Sequence, residues 1–215
     1  MPQMVRVHNF NVSSDGYGAG EGQSLERPFG HADPAAIFSW AGATASWPTR
    51  TDPGGSRGLD DYLVRDFHRN IGAEIMGRNK FSPYRGPWDD HDWQGWWGDE
   101  PPFHTPVFVM THHERPSLTL SDTTFHFVDG SPEEVLQLAL EAADGKDVRL
   151  GGGAATIRQF LDAGLIDTLH VAVSPVQLGA GSRLWGSPDE LLDRYHRDVV
   201  PSPSGAVVHH LFWRK

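Results

Sequence analysis

Three consecutive glycines, Gly151 to Gly153, are the most distinctive chemical feature of this sequence. They follow a short apolar run, Asp147 to Leu150, and precede AATIRQFLDAG, whose apolar residues recur at helical spacing. A glycine turn lets the backbone approach a ligand closely, and the helix that follows offers unpaired N–H groups. Ala154 and Thr156 lie in its first turn, where the Thr156 hydroxyl adds a donor. This pattern is typical of a phosphate-binding turn.

A plain tight connection between a strand and a helix would use the same three glycines, so spacing alone leaves both interpretations open. Two common phosphate motifs are excluded at this turn. The sequence there has neither the G-x-G-x-x-G dinucleotide fingerprint nor the G-K-[ST] ending of a P-loop.

Acidic and histidine residues supply further candidates. Asp15 lies in the loop NVSSDGYGAG, where it either contacts a ligand or belongs to an ordinary Asp-Gly turn. Histidines occur as adjacent pairs at 112–113 and 209–210, and His91 precedes Asp92. Neither pair has the i, i+4 spacing of a helical metal site, and neighbouring strand residues point to opposite faces. We therefore predict no metal site.

Composition limits the classes of function. The chain carries 28 acidic and 18 basic residues, a formal net charge of -10, which disfavours a nucleic-acid partner. It contains no cysteine, so disulfides, thiol catalysis and thiolate metal sites are excluded. Its 215 residues suit one domain with a sizeable core. Because no stretch reads as a signal peptide or a membrane span, we expect a soluble cytoplasmic protein without a membrane partner.

The elements that must position these residues follow from the hydrophobic pattern. The predicted strands are 5–12, 73–76, 106–111, 123–128, 147–150 and 168–174, and 193–200 pairs with 206–213 as an antiparallel edge hairpin. A Ser131–Glu134 capping box begins a helix that extends to about Ala143. The run from Ala35 to Trp40 is apolar without a clear period.

A further helix is predicted where Leu59, Leu63 and Phe67 recur every four residues. Acidic residues lie between them, and we expect these to form a solvated face; the residues are Asp60, Asp61 and Asp66. The segment 88–97 instead places four tryptophans among proline, glycine and aspartate without any period. For it we favour local packing and a dimer contact over a lid.

Three segments together resemble a known family. The run from Gly151 to Trp185, the loop NVSSDGYGAG and the segment EIMGRNKF stand in the order found in the reductase domain at the C-terminus of the bifunctional riboflavin-biosynthesis deaminase–reductase (the RibD C-terminal type), a branch of the dihydrofolate reductase superfamily. The resemblance covers nearly the whole chain. It implies an α/β, three-layer fold as a single domain, residues 1–215. That fold has a central, mostly parallel mixed sheet, helices on both faces and a C-terminal antiparallel hairpin.

The resemblance also implies NADPH as the cofactor. It assigns these residues to cofactor binding: Ala19, Gly77, Arg78, Asn79, Thr111, His112, Gly151, Gly152, Gly153, Ala154 and Thr156. Arg78 or Lys80 would meet the 2′-phosphate, unless they form a solvent-facing basic turn. His112 stands where the family commonly has arginine, and a neutral histidine attracts phosphate less, so the NADPH preference depends mainly on Arg78.

On the substrate side, the resemblance places Asp15, Gly16, Gly179 and Gly181 at the site. Asp15 is the expected catalytic residue, which grips or protonates the substrate. Folate-reducing members of the superfamily also hold an acidic residue in an early helix for proton delivery, so the resemblance leaves Asp60, Asp61 and Asp66 as alternative candidates for that role. The alternative for the two later glycines is a plain turn. Trp40 either offers a stacking surface to a flat ring or packs in the core.

The implied reaction is hydride transfer from NADPH to a C=N or C=O bond of a small molecule, either a pteridine or a ribosylaminopyrimidine of riboflavin biosynthesis. The chain lacks the zinc deaminase half, having no cysteine and no H-x-E with P-C-x-x-C, so the substrate stays open. A nucleotide-binding or sensory protein that keeps the fold without turnover is the main alternative, and a structural dimer is another. The resemblance implies a homodimer.

Overall fold

The computed structural model describes residues 2–88 and 92–215. Within them, the strands are β1 (Val5–Val12), β2 (Tyr17–Ala19), β3 (Ile71–Gly77), β4 (Pro106–Met110), β5 (Leu118–Leu120), β6 (Thr123–Val128), β7 (Asp147–Leu150), β8 (Thr168–Val173), β9 (Ser182–Arg183), β10 (Tyr195–Pro201) and β11 (Val208–Arg214). The α-helices are α1 (Pro34–Gly42), α2 (Leu59–Arg65), α3 (Arg78–Phe81), α4 (Pro132–Ala142) and α5 (Ala154–Asp162).

Nine of these strands form one sheet in the order β10-β11-β8-β1-β7-β3-β4-β6-β5, and β2 pairs separately with β9. The pairs β1–β7, β7–β3, β3–β4 and β4–β6 are parallel. The strands β5, β11 and β10 join antiparallel. This confirms the predicted α/β class, with a mostly parallel sheet and a C-terminal antiparallel hairpin. It also confirms β10 as an edge strand.

The contacts of the chain group into two compact units. Unit 1 consists of Met1–Arg6 and Asn70–Asp167, and unit 2 consists of Val7–Arg69 and Thr168–Lys215. The expectation of a single domain over 1–215 stays a prediction. No helix in the described part of the chain combines the length and the apolar content that crossing a membrane requires.

Unit 1 is built on β3, β4, β6 and β7. The strands β3, β4 and β7 are buried along most of their length, as inner parallel strands require, whereas most of β6 is only half-buried. The predicted capping box at the start of α4 is present: the Ser131 side chain accepts from the Glu134 N–H, and the Glu134 side chain accepts from the Ser131 N–H. Val135 and Ala139, one turn apart on this helix, are fully buried. The bounds of β6 and β7 equal the predicted ones.

The tryptophan-rich segment packs locally in unit 1, as favoured from the sequence. Trp88 is buried with Phe81 and Phe125, and Trp93 and Trp97 pack against the same cluster. The indole N–H of Trp88 donates to the carbonyl of His113 at 3.0 Å, and that of Trp93 donates to Phe81 at 2.9 Å. Residues 89–91 lie outside the described part.

Unit 2 contains β1 from Val7 onward, together with β8, β10 and β11, and the bounds of β1 equal the predicted ones. Its core cluster includes Trp40, Val64, Ala172 and Val207. The apolar run 35–40, left open from the sequence, lies in α1, where the Asp33 side chain accepts from the Ala35 N–H and caps the helix.

The prediction that the acidic residues of α2 form a solvent-exposed face is wrong. Asp60 and Asp61, expected to face solvent, are 5% and 3% exposed, whereas Leu59 and Leu63 are only half-buried. Both carboxylates have internal partners: Asp60 meets His209 and Ser202, and Asp61 accepts from the backbone N–H of Ser46. Buried carboxylates require such partners, and those of Asp60 come from distant parts of the sequence.

Candidate functional site

The three-glycine turn lies beside the end of β3 in unit 1. The N–H of Gly151 donates to the carbonyl of Ile75, and the N–H of Gly77 donates to the carbonyl of Gly152, both at 2.8 Å. The Gly152–Gly153 peptide bond is cis. The sequence-predicted glycines Gly77 and Gly151 to Gly153 are thus brought together by backbone hydrogen bonds.

Two of these glycines are required by close approach. A Cβ on Gly77 would overlap the hydroxyl oxygen of Thr156, and a Cβ on Gly151 would overlap Glu74 Oε1 and Lys80 Nζ. A side chain at either position would therefore displace a polar group that the turn needs. At Gly153, by contrast, a Cβ would meet no atom within 4 Å.

A charge cluster lies directly against Gly151. Glu74 on β3 and Arg149 on β7 are each 1% exposed, and Arg149 Nε donates to Glu74 Oε2 at 2.9 Å. Lys80 Nζ donates to Glu74 Oε1 at 3.0 Å, and its side chain remains 26% exposed. Two cations and one anion leave this cluster with an excess positive charge beside the turn.

The two cations keep the glutamate of this cluster ionised. Burial raises the pKa of Glu74, but Arg149 and Lys80 together bring it below its ordinary value. Burial lowers the pKa of Lys80, while the contact with Glu74 favours its charged form. A bound anion would favour that charged form further, because opposite charges stabilise each other most where water is excluded.

The start of α5 completes this side of the site. Gly153 is the cap residue and has no side chain to accept from the first-turn N–H groups. The helix is nine residues long and begins at Ala154. The positive end of its dipole lies there, because the N-terminus of a helix carries the unpaired N–H groups. Thr156 is buried against Gly77. A bare backbone, a helix start and an adjacent cation with solvent access together fit a phosphate group.

The other predicted cofactor residues of unit 1 are Arg78, Asn79, Thr111 and His112, and each has its own environment. Arg78 stacks its guanidinium 3.8 Å from the ring centre of Trp88 and donates to the carbonyl of Gly86, while Asn79 is exposed. Thr111 is buried at the end of β4. His112 is exposed, with Nδ1 2.8 Å from an oxygen of Asp129.

Asp15 in unit 2 joins two loops. Its Oδ1 accepts from Ser13 Oγ at 2.6 Å and from the N–H of Leu178 at 3.1 Å, and its Oδ2 accepts from the N–H of Gly179 at 2.7 Å. Partial burial opposes ionisation, but these hydrogen bonds prevail and lower the pKa of Asp15 to about 2. At neutral pH Asp15 is therefore an acceptor, without a proton to donate.

The remaining substrate-side predictions fall in the same unit. The small β2–β9 pair holds the Asp15 loop, with Ala19 opposite Ser182, and the N–H of Leu184 donates to the carbonyl of Gly16 at 2.7 Å. A Cβ on Gly181 would overlap the carbonyl oxygen of Ala19. The structure therefore brings Gly16, Gly179 and Gly181 to Asp15.

Trp40 has a different environment from the stacking surface considered above. It is 1% exposed, its Nε1 donates to Asn11 Oδ1 at 2.6 Å, and its ring packs edge-on against His209 with centres 4.9 Å apart. No ring face is open to a ligand, which supports the core alternative.

Two groups of polar residues were missed by sequence reasoning. One is the cluster of Glu74 and Arg149 with Lys80, of which only Lys80 was named as a candidate. The signal for the other two was present, since single charges of opposite sign interrupt the apolar runs AEIMG and VRL. The other is a buried line formed by Asp60, His209 and His170. Among the described residues, no group of three or more His, Cys, Asp or Glu side chains is placed to hold a metal ion, and His91 lies outside them.

Comparisons with known proteins are consistent with this geometry. The family model described as RibD C-terminal domain matches residues 6–196. A stretch of 79 residues is 34% identical to YyaP of Bacillus subtilis (strain 168), an uncharacterized protein, and covers 37% of this chain and 38% of that protein.

Two solved structures share the fold. A putative riboflavin biosynthesis protein from Shewanella sp. PV-4 has a TM-score of 0.57 at 21% identity, covering 100% of this chain and 99% of that chain. Dihydrofolate reductase from Enterococcus faecalis, complexed with NADP(H) and RAB-propyl, has a TM-score of 0.53 at 13% identity, covering 99% and 96%. The predicted dihydrofolate reductase-like fold is confirmed.

Proposed function

Because the chain belongs to the RibD C-terminal domain family, we propose that it is an NADPH-dependent reductase. The proposed substrate is a pteridine or a ribosylaminopyrimidine-like molecule with a reducible C=N or C=O bond. The observation that carries the proposal is the glycine turn at the start of α5, with Lys80 and its buried partners against Gly151.

The residues of unit 1 suit the phosphates of a dinucleotide. Gly151 to Gly153 present a bare backbone, and the first turn of α5 has no side-chain cap to compete with a ligand. Lys80 has three donor hydrogens, of which Glu74 accepts one. Bound NADPH would supply the hydride, and the role of these residues is to hold the pyrophosphate in place.

The preference for NADPH over NADH is proposed to come from Arg78. Its guanidinium is oriented by Trp88 and by the carbonyl of Gly86, and its Nε and Nη2 are buried, so contact with a phosphate would require the side chain to turn outward. A planar guanidinium suits a phosphate monoester. Asn79 is exposed beside it and can add a donor.

Asp15 is proposed to orient the substrate. Its Oδ2 accepts one hydrogen bond from the protein, so a further lone pair can accept an N–H group. Pteridines and aminopyrimidines both carry such groups next to ring nitrogens. Because Asp15 is ionised at neutral pH, we assign it no proton transfer in the reaction.

Turnover separates this function from its main alternative, a nucleotide-binding protein without activity. The test mixes the purified protein with NADPH and, in turn, dihydropteridines and ribosylaminopyrimidines, and follows the absorbance of the reduced nicotinamide. We expect loss of NADPH that requires both protein and substrate. Tight NADPH binding without loss with any of these substrates would favour the alternative. We also propose that the protein is cytoplasmic and that it forms a homodimer. Sedimentation equilibrium tests the homodimer.

A further inference from the structure

A line of hydrogen-bonded polar side chains runs through unit 2 and includes none of the residues proposed to hold the cofactor or the substrate. Asp60 Oδ1 lies 3.0 Å from His209 Nε2, and His209 Nδ1 lies 3.0 Å from His170 Nε2. The second oxygen of Asp60 accepts from Ser202 Oγ at 2.7 Å. Asp60 and His170 are each 5% exposed and His209 is fully buried. The line joins α2, β11 and β8.

At its inner end the line meets Asn9 of β1, which offers His170 Nδ1 two different partners. The backbone N–H of Asn9 lies 3.2 Å from this nitrogen, and the side-chain Oδ1 lies 2.9 Å from it. The amide orientation follows from the other end of the side chain, where Nδ2 donates to the carbonyl of Leu63 at 3.0 Å. One nitrogen therefore faces both a donor and an acceptor.

These contacts allow two arrangements of protons. In the first, Asn9 N–H donates to His170, His170 Nε2–H donates to His209, and His209 Nε2–H donates to ionised Asp60. In the second, His170 Nδ1–H donates to Asn9 Oδ1, and His209 donates from both nitrogens, to His170 and to Asp60. The second arrangement holds one more proton, taken from solvent, and pairs the buried Asp60 carboxylate with an imidazolium.

We propose that Asp60, His209 and His170 form a buried pH-sensitive switch that takes up one proton and reverses the direction of its hydrogen bonds. The proton resides on His209, beside the carboxylate. His170 changes only its tautomer and stays neutral in both states. The two states differ in which group of Asn9 is bonded.

The surroundings of the switch agree with a neutral His170. Burial, and then the neighbouring imidazoles of His209, His8 and His210, keep the pKa of His170 well below its ordinary value. His8 approaches from β1, with Nδ1 3.4 Å from the carbonyl of Phe67. Trp40 of α1 covers both imidazoles of the switch with its ring. The carboxylate that faces His209 is that of Asp60.

Hydrogen bonds connect the switch to Trp40 through Asn9 and Asn11. Asn11 Nδ2 donates to the carbonyl of Asn9 at 2.8 Å, and Asn11 Oδ1 accepts from Trp40 Nε1. Asn9 has a φ of 53°, a left-handed backbone conformation that is uncommon outside glycine but that asparagine adopts more often than most residues. The indole N–H of Trp40 is consequently a reporter of the state of the switch.

The test is a ¹⁵N NMR titration of the histidine side chains of the intact chain from about pH 8 to about pH 5, across the ordinary range of histidine. We expect His209 to gain a second N–H while His170 moves its proton from Nε2 to Nδ1, and the Trp40 indole signal to shift with the same midpoint. An unchanged His170 tautomer in the folded protein over this range overturns the proposal, as does unfolding before any change.

Variants of neighbouring carboxylates provide the control. Asp60→Asn removes the partner of the imidazolium, so the midpoint of the His170 tautomer change should move to lower pH. Asp61→Asn removes the next carboxylate on α2, which accepts from Ser46 instead, and should leave that midpoint unchanged. Equal shifts in the two variants contradict the proposal. If Asp60→Asn does not fold, the wild-type tautomer measurement alone decides.

Discussion

Lys80 is the residue whose surroundings bear most directly on cofactor binding. It donates to Glu74, whose charge Arg149 also balances, and its ammonium lies where a side chain on Gly151 would be. The salt bridge holds Lys80 in one position, so less freedom is lost when an anion binds. Glu74 and Arg149 thereby act as positioning residues for the lysine.

Replacing this lysine tests that role. Lys80→Met removes a charged donor to the phosphates, a hydrogen bond of about 1.5–3 kcal/mol, so the affinity for NADPH should fall at least about tenfold. The affinity for NADH should fall by the same factor, because both nucleotides share the pyrophosphate. Calorimetric titration measures both.

A second lysine of unit 1 supplies the matched control. Lys146 is exposed in the turn after α4, so Lys146→Met removes the same charge at a distance from the glycines. Its effect on NADPH affinity should be less than about twofold, since exposed charges are screened. Equal losses in the two variants would show that only net charge matters.

Asp15 makes a prediction about acid stability. Its pKa is about 2 in the folded protein and about 3.9 in an unfolded chain. A lowered folded pKa contributes stability that is present above pH 3.9 and is lost as the pH falls toward 2. Because Asp15 is partly solvated, we expect a contribution of about 1 kcal/mol after screening.

Asp15→Asn isolates this contribution. The difference in free energy of unfolding between wild type and variant, measured with urea, should shrink between about pH 5 and about pH 2. Asp193→Asn, at an exposed site of the same unit, controls for the lost charge. A difference for Asp15→Asn that is constant over this range would contradict the assigned hydrogen bonds.

At the scale of elements, the turn between β7 and α5 depends on one glycine more than on its neighbour. Gly151→Ala places a Cβ against Glu74 and Lys80, and we expect a loss of about 1–3 kcal/mol in the free energy of unfolding. Gly153→Ala enters open space at a φ of -71°, so it should change stability by less than about 0.5 kcal/mol. Urea unfolding measures both, and similar losses would refute the described packing of the turn.

Strand bounds could be predicted from the local sequence, whereas the buried face of α2 could not. The strands β1, β6 and β7 have the predicted bounds, because apolar runs between polar turns define them locally. The face of α2 was predicted wrongly because Asp60 is satisfied by Ser202 and His209, 142 and 149 positions away. Local periodicity contains no information about such partners.

At the scale of the whole molecule, the resemblance predicts a mostly parallel mixed sheet, but neither it nor periodicity predicted the order of the strands. Strand β8 lies between β11 and β1, and the carbonyls of Val5 and Val12 accept from Asp167 and Ser174, so β8 runs parallel to β1. No property of residues 168–173 alone predicts that neighbour. The same limit applies to the site: the sequence indicated the glycine turn and the Asp15 loop, but not Lys80 against Gly151.

The central claim is that this chain binds NADPH through its glycine turn. The measurement that tests it most directly is calorimetric titration of the wild-type protein with NADPH and, in parallel, with NADH. The account predicts NADPH binding with a dissociation constant of about 1 μM or below, about -8 kcal/mol, and weaker binding of NADH. Absence of binding by either nucleotide would contradict the assignment of Gly151 to Gly153 as a phosphate site and the proposed function with it.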